Sequence, residues 1–203
     1  MKGRKFKKWQ IILGVVLVMG IIGSFLPDPP EEEPTEASNQ QEQQDQPKEE
    51  EKPVDVSNLE LSDEKYINEI KNVDSSYIKD VKIDGSNVIV TLDDSGMWGE
   101  KSLVKDTATR GVDIFRKAFE NKNAQKVTLQ TVTPLTDSYG KESEEKTVII
   151  IWNRETSDKV DYDNFKDLVY SDFTKLYGIS DSYAIYPGIF AKLDDKTKAT
   201  LQR

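Results

Sequence analysis

The sequence contains neither cysteine nor histidine. Without cysteine there can be no disulfide, thiol nucleophile or thiolate metal ligand. Without histidine as well, Cys/His zinc centres and the Ser-His-Asp arrangement are excluded. Positive charge is in short supply: 28 Lys and Arg stand against 37 Asp and Glu, for a net charge of −9. Duplex nucleic acid is bound largely through Lys and Arg that neutralise phosphates, so this balance argues against a nucleic-acid partner. Uncharged apolar runs are scarce too. The longest, Ile11–Leu26, carries no charge over its length.

That run follows a basic head with Lys2, Arg4, Lys5, Lys7 and Lys8. A spanning helix needs about 20 apolar residues, with about 17 as the lower limit. Trp9 and Gln10 extend Ile11–Leu26 towards that length, and Trp favours the membrane interface. Pro27, Pro29 and Pro30 then stop any helix, since proline supplies no backbone donor. Lys and Arg are retained on the cytoplasmic side. The expectation is a signal anchor in the lipid bilayer at 9–26, behind a basic cytoplasmic head at 1–8. The N-terminus is then cytoplasmic and the rest outside the cell membrane. The alternative is a cleaved signal and secretion, for which Gly20, Gly23 and Ser24 offer no clean paired small-residue site.

Residues 28–53 hold ten acids, two lysines and no aromatic residue. Such a segment cannot bury enough surface to offset ordering, and its prolines and like charges favour extension. The expected organisation is an acidic, disordered linker over 27–56 and an extracytoplasmic domain over 57–203. Globular character is expected to set in near Val54. The layout resembles that of many surface proteins of single-membrane bacteria.

Within the domain, Ser62 is a candidate N-cap for a helix over 63–72, with Tyr66, Ile67, Ile70 and Val73 on one stripe. Val81 and Ile83 alternate before a turn at Asp84–Asn87. The β-prone run Val88–Leu92 follows, so a hairpin is expected. From Lys101 to Asn121 apolar residues recur at helical spacing, with Gly111 on the buried stripe. Strands are expected over 126–135 and 146–153. Val148–Trp152 is apolar on both faces, which predicts a central strand covered on two sides, or on one side plus an interface. A third helix, capped by Asp161 or Asp163, is expected to run to Gly178, followed by a short edge strand at Tyr183–Tyr186 and a weakly helical tail. The fold class is α+β: a small, mostly antiparallel four-stranded sheet with helices packed on one face. A right-handed crossover through the long helix could make one pair parallel.

Candidate chemistry lies mainly on one loop. Asp93, Asp94 and Glu100 surround Met97 and Trp98. Paired carboxylates beside an aromatic could serve a glycoside hydrolase, yet Asp-Asp-Ser-Gly is also ordinary turn chemistry. The spacing misses a calcium loop, so neither metal nor cofactor is expected. Trp98 sits on no apolar stripe. It either folds back as a lid on the sheet edge or projects as an anchor of the kind found at interface hot spots. Tyr183 and Tyr186 form a second aromatic patch. The leading reading is a non-enzymatic interaction or sensing module, contacting a protein or cell-wall ligand through Met97, Trp98, Glu100, Tyr183 and Tyr186. The alternatives are a wall-active hydrolase and an accessory subunit of a membrane complex.

Overall fold

The computed structural model describes residues 54–94 and 98–202. The basic head, the Ile11–Leu26 segment, residues 28–53 and Met97 lie outside the described residues. Among those described, no helix is long and apolar enough to cross a membrane.

Helix α1, Glu64–Val73, begins one residue later than the sequence suggests. Asp63 rather than Ser62 is the cap, its carboxylate accepting from the Lys65 backbone N–H at 2.8 Å. Tyr66 and Ile70 face inward and are fully buried. The Tyr66 hydroxyl donates to the Ala118 carbonyl at 2.7 Å, which removes the cost of burying it.

Strands β1 (Ile78–Asp84) and β2 (Asn87–Asp93) form the expected hairpin. The chain then crosses over through α2, Glu100–Phe119, to β3, Lys126–Thr136. β2 and β3 run parallel from Asn87↔Lys126 to Asp93↔Val132. β4, Glu142–Asn153, returns antiparallel to β3, and β5, Ser182–Ile185, pairs antiparallel with β4. The sheet therefore has five strands in the order β1-β2-β3-β4-β5. This corrects the four-strand expectation, and the parallel pair comes from the crossover. The 20-residue helix returns the chain to the end of the sheet where β2 begins, so β3 starts beside Asn87 and runs parallel to β2.

One face of the sheet is covered. Val88, Val90, Leu92, Val127, Leu129, Val148, Ile150 and Trp152 point at the helices and are fully buried. Their alternates Ile89, Thr91, Thr128, Gln130, Ile149 and Ile151 are only half-buried. The apolar double face of β4 is thus covered by helices on one side alone. Trp152 forms the centre of the core. Its ring stacks on Phe115 of α2 at 4.4 Å between centroids, and its Nε1–H donates to the Ser180 hydroxyl at 2.9 Å. Gly111 lets α2 approach the sheet: a Cβ there would lie 3.0 Å from the Leu129 side chain.

The region expected as one helix, ending at Gly178, is two, with a further short helix before it. Short α3, Arg154–Ser157, is followed by α4, Tyr162–Ser171, and α5, Thr174–Ile179. Asp161 caps α4, and Asp172 breaks the run by accepting from both the N–H and the hydroxyl of Thr174. Gly178 lies inside α5 instead of ending it. Arg154 closes the C-terminal end of α2, donating to the carbonyls of Phe119, Asn121 and Ala124. The tail forms α6, Pro187–Ala191, and α7, Asp195–Leu201, with Ile189, Leu193 and Leu201 buried in the core.

Candidate interaction site

The C-terminal ends of the parallel pair β2 and β3 gather the loop before α2, the β3–β4 hairpin and the end of β5. The described chain enters at the other end, where the Lys122 N–H donates to the Ser57 carbonyl and Val56 is buried.

Trp98 is the first described residue of the loop after Asp94, and it is 89% exposed. The lid reading is therefore excluded. Burying an indole contributes about 1.5–3 kcal/mol or more, and here that contribution is left unused within the chain. The loop's downstream foot is fixed. Gly99 adopts a φ of 83°, where an L side chain would be strained, and its carbonyl accepts from the Leu103 N–H at 3.0 Å. Glu100 then pairs with Lys192 at 2.5 Å, and Lys101 with Asp194 at 2.7 Å. Asp194 also caps α7 through the Thr197 N–H and hydroxyl at 3.0 and 2.9 Å. These contacts tie α2 to the segment joining α6 and α7.

The Lys192 ammonium, hydrogen-bonded to Glu100, holds that carboxyl below the usual carboxylate range. Glu100 is thus ionised at neutral pH and engaged with a cation, which suits a structural anchor and not a general acid. Asp194 is held lower still, first by its bond to Lys101 and next by the Thr197 N–H. Among the described residues no group of three or more acids is placed to hold a metal ion.

The second aromatic patch divides. Tyr186 is 41% exposed, at the first turn of α6, where its carbonyl accepts from the Phe190 N–H at 2.9 Å. Tyr183 is half-buried. Its ring packs edge-on against buried Tyr177 at 5.1 Å, and its hydroxyl donates to the Leu201 carbonyl. It is part of the seam between β5 and α7.

Sequence reasoning missed Tyr139, which is 94% exposed at the tip of the β3–β4 hairpin. Composition marks that segment only as a turn. The Asp137 carboxylate accepts from the Tyr139 and Lys141 N–H groups, each at 2.9 Å, and Gly140 supplies a φ of 80°. The signal available in the sequence was a lone Tyr between turn formers, with no stripe to bury it.

A separate groove of about 430 Å³ lies beside α4, lined by Val160, Phe165, Leu168 and Ile179 with Lys159 and Asn164. Its size suits a small ligand. Three of its polar side chains are already engaged: Lys159 pairs with Glu155, and Asn164 with Asp161. Comparison with known families, curated proteins and solved structures finds no match for the chain.

Proposed function

We propose that this chain is a membrane-anchored interaction or sensing module, held outside the cell membrane by Ile11–Leu26, whose contact surface is the Trp98 end of the sheet. The observation that carries the reading is the exposure of Trp98, 89%, beside a foot fixed by two ion pairs. An exposed Trp on a preorganised support loses little conformational freedom on binding and brings a large apolar surface to it. Tyr186 and Tyr139 stand at the same end of the sheet and widen the surface. The first described residues lie at the opposite end of the sheet, where Val56 is buried. The ligand class is a protein or a cell-wall polymer, and the role is binding without turnover.

The test uses residues 54–203, which lack the Ile11–Leu26 segment, co-sedimented in parallel with purified cell walls and with washed membranes. Wild type is expected to sediment with one of the two, and Trp98→Ala to stay largely in solution. Retention of the variant at the wild-type level would remove Trp98 from the function. Turnover of a wall polymer that Asp94→Asn abolishes would replace the reading with the hydrolase.

A further inference from the structure

The two edges of the sheet are built differently. β1 carries Lys79, Asp80, Lys82 and Asp84, and its register shifts between Ile78 and Asp80. Charge and irregularity of this kind deter a further strand from pairing with an edge. β5 has no charge, no proline and no glycine, and its register with β4 is unbroken from Val148↔Ile185 to Ile151↔Ser182. Which of its backbone groups face β4 is fixed by Tyr186, whose N–H donates to the Thr147 carbonyl at 2.8 Å. Such positions alternate along an antiparallel ladder. Ala184 and Ser182 therefore bond to β4, and the N–H and C=O groups of Tyr183 and Ile185 turn outward. Among the described residues, none bonds to these four groups. The side chains of the same two residues point to the helix layer: Tyr183 packs on Tyr177, and Ile185 lies against the core. On that side of the edge runs a groove of about 820 Å³, walled by Tyr177, Ile179, Tyr183 and Leu201.

We propose that β5 pairs with β5 of a second copy of this chain across a two-fold axis at Ala184, making one sheet of ten strands. The edge is complementary to itself, as a two-fold contact requires. An antiparallel register centred on Ala184 sets Tyr183 opposite Ile185 of the second copy, and Ile185 opposite Tyr183 of the second copy. All four outward groups of each copy are then used, in four hydrogen bonds. A register centred on Tyr183 or on Ile185 would pair only half of them within β5. At the axis Ala184, which is exposed, faces its own copy in the closer of the two pair geometries, with Cα atoms about 4.5 Å apart. That spacing suits a small side chain. On the helix side, Ile185 of the second copy enters the groove beside Tyr183. The uncharged strand brings no like charges together. One short strand and one groove bury less than the about 1,200 Å² of stable complexes, so the dimer is weak. This contact is separate from the Trp98 loop, and it stands or falls without it.

The experiment is sedimentation velocity on residues 54–203, which hold the whole of the described core, over about 5–500 µM, the span suited to a contact of this size. Wild type is expected to pass from monomer to dimer as concentration rises. Ala184→Lys and Ala184→Glu each set like charges opposite one another at the axis, and each should weaken association about fivefold. An equimolar mixture of the two sets Lys opposite Glu and should associate at least as strongly as wild type. Ala184 is exposed, so both variants should keep the wild-type urea midpoint. Trp98→Ala should associate as wild type does. Wild type that stays monomeric throughout would overturn the proposal and leave the edge to a strand of another protein. Single variants that associate at wild-type strength, or a mixture no stronger than either variant alone, would overturn it by placing the contact elsewhere. Loss of the dimer in Trp98→Ala would also overturn it, by moving the contact between copies to the aromatic end.

Discussion

Replacing Gly111 by alanine sets two effects of similar size against each other, and the geometry decides between them. In an exposed helix interior the change would stabilise by about 1 kcal/mol, because glycine loses more backbone entropy on folding. In α2 the added Cβ would lie 3.0 Å from Leu129 Cδ2, 3.4 Å from Leu176 Cδ1 and 3.5 Å from Phe115 Cε2. Optimal carbon–carbon contact is about 3.5–4.0 Å, so the Leu129 methyl must retreat by several tenths of an ångström. It has little room, since Leu129, Leu176 and Phe115 are each fully buried. Overpacking of this kind costs about 1–3 kcal/mol. Gly111→Ala should therefore destabilise by about 1 kcal/mol net, and Gly111→Val, with two further methyls, by about 3 kcal/mol or more. Gly178 is the control: it too is helical, but a Cβ there meets nothing within 4 Å. Gly178→Ala should stabilise by about 0.5–1 kcal/mol. Urea unfolding followed by far-UV circular dichroism measures all three. If Gly111→Ala stabilised as much as Gly178→Ala, the close approach of α2 to the sheet would be wrong.

Other outcomes follow from particular contacts. Trp152→Ala should cost about 3–5 kcal/mol by leaving a cavity against Phe115, read as a lower urea midpoint. Trp98→Ala should shift the midpoint by no more than about 0.5 kcal/mol, since the side chain is exposed. Arg154→Met strips donors from three carbonyls around the end of α2 and should destabilise by about 2–4 kcal/mol in the same assay. The folded-state pKa of Asp194 lies below its usual 3.8, so its contribution is complete above that value and is lost as pH falls through the folded-state value. Asp194→Asn should accordingly flatten the loss of stability below pH 3.8 in acid titrations.

How far the structure was legible depended on whether a residue's role is local. α2 was readable because its buried face repeats at helical spacing, from Leu103 through Phe119. The start of β4 was not, because Glu142–Glu145 form a strand by pairing with β3 and bury nothing. The split between α4 and α5 was hidden in Asp172, whose side chain caps the next turn through Thr174 while its neighbours continue an apolar stripe. The tail was underestimated for a similar reason. Asp194 and Thr197 form a cap that holds α7, but its stability depends on Leu201 and Tyr183, contacts no local pattern reveals. In the site, the exposure of Trp98 was one of two outcomes the loop allowed. Tyr183 and Tyr186 were read as one patch from their nearness in sequence, which does not show that β5 turns Tyr183 against Tyr177.

The central claim is that the aromatic end of the sheet makes the contact, and not the apolar groove beside α4. The direct measurement is the affinity of residues 54–203, without the Ile11–Leu26 segment, for whichever fraction, wall or membrane, retains them, compared between Trp98→Ala and Leu168→Ala. Both residues are exposed, 89% and 52%, so neither change should disturb the fold. The account predicts at least a tenfold loss for Trp98→Ala, the scale of an interface hot spot of about 1.4 kcal/mol or more, and no loss for Leu168→Ala. The reverse pattern would move the functional surface to the groove and contradict the account.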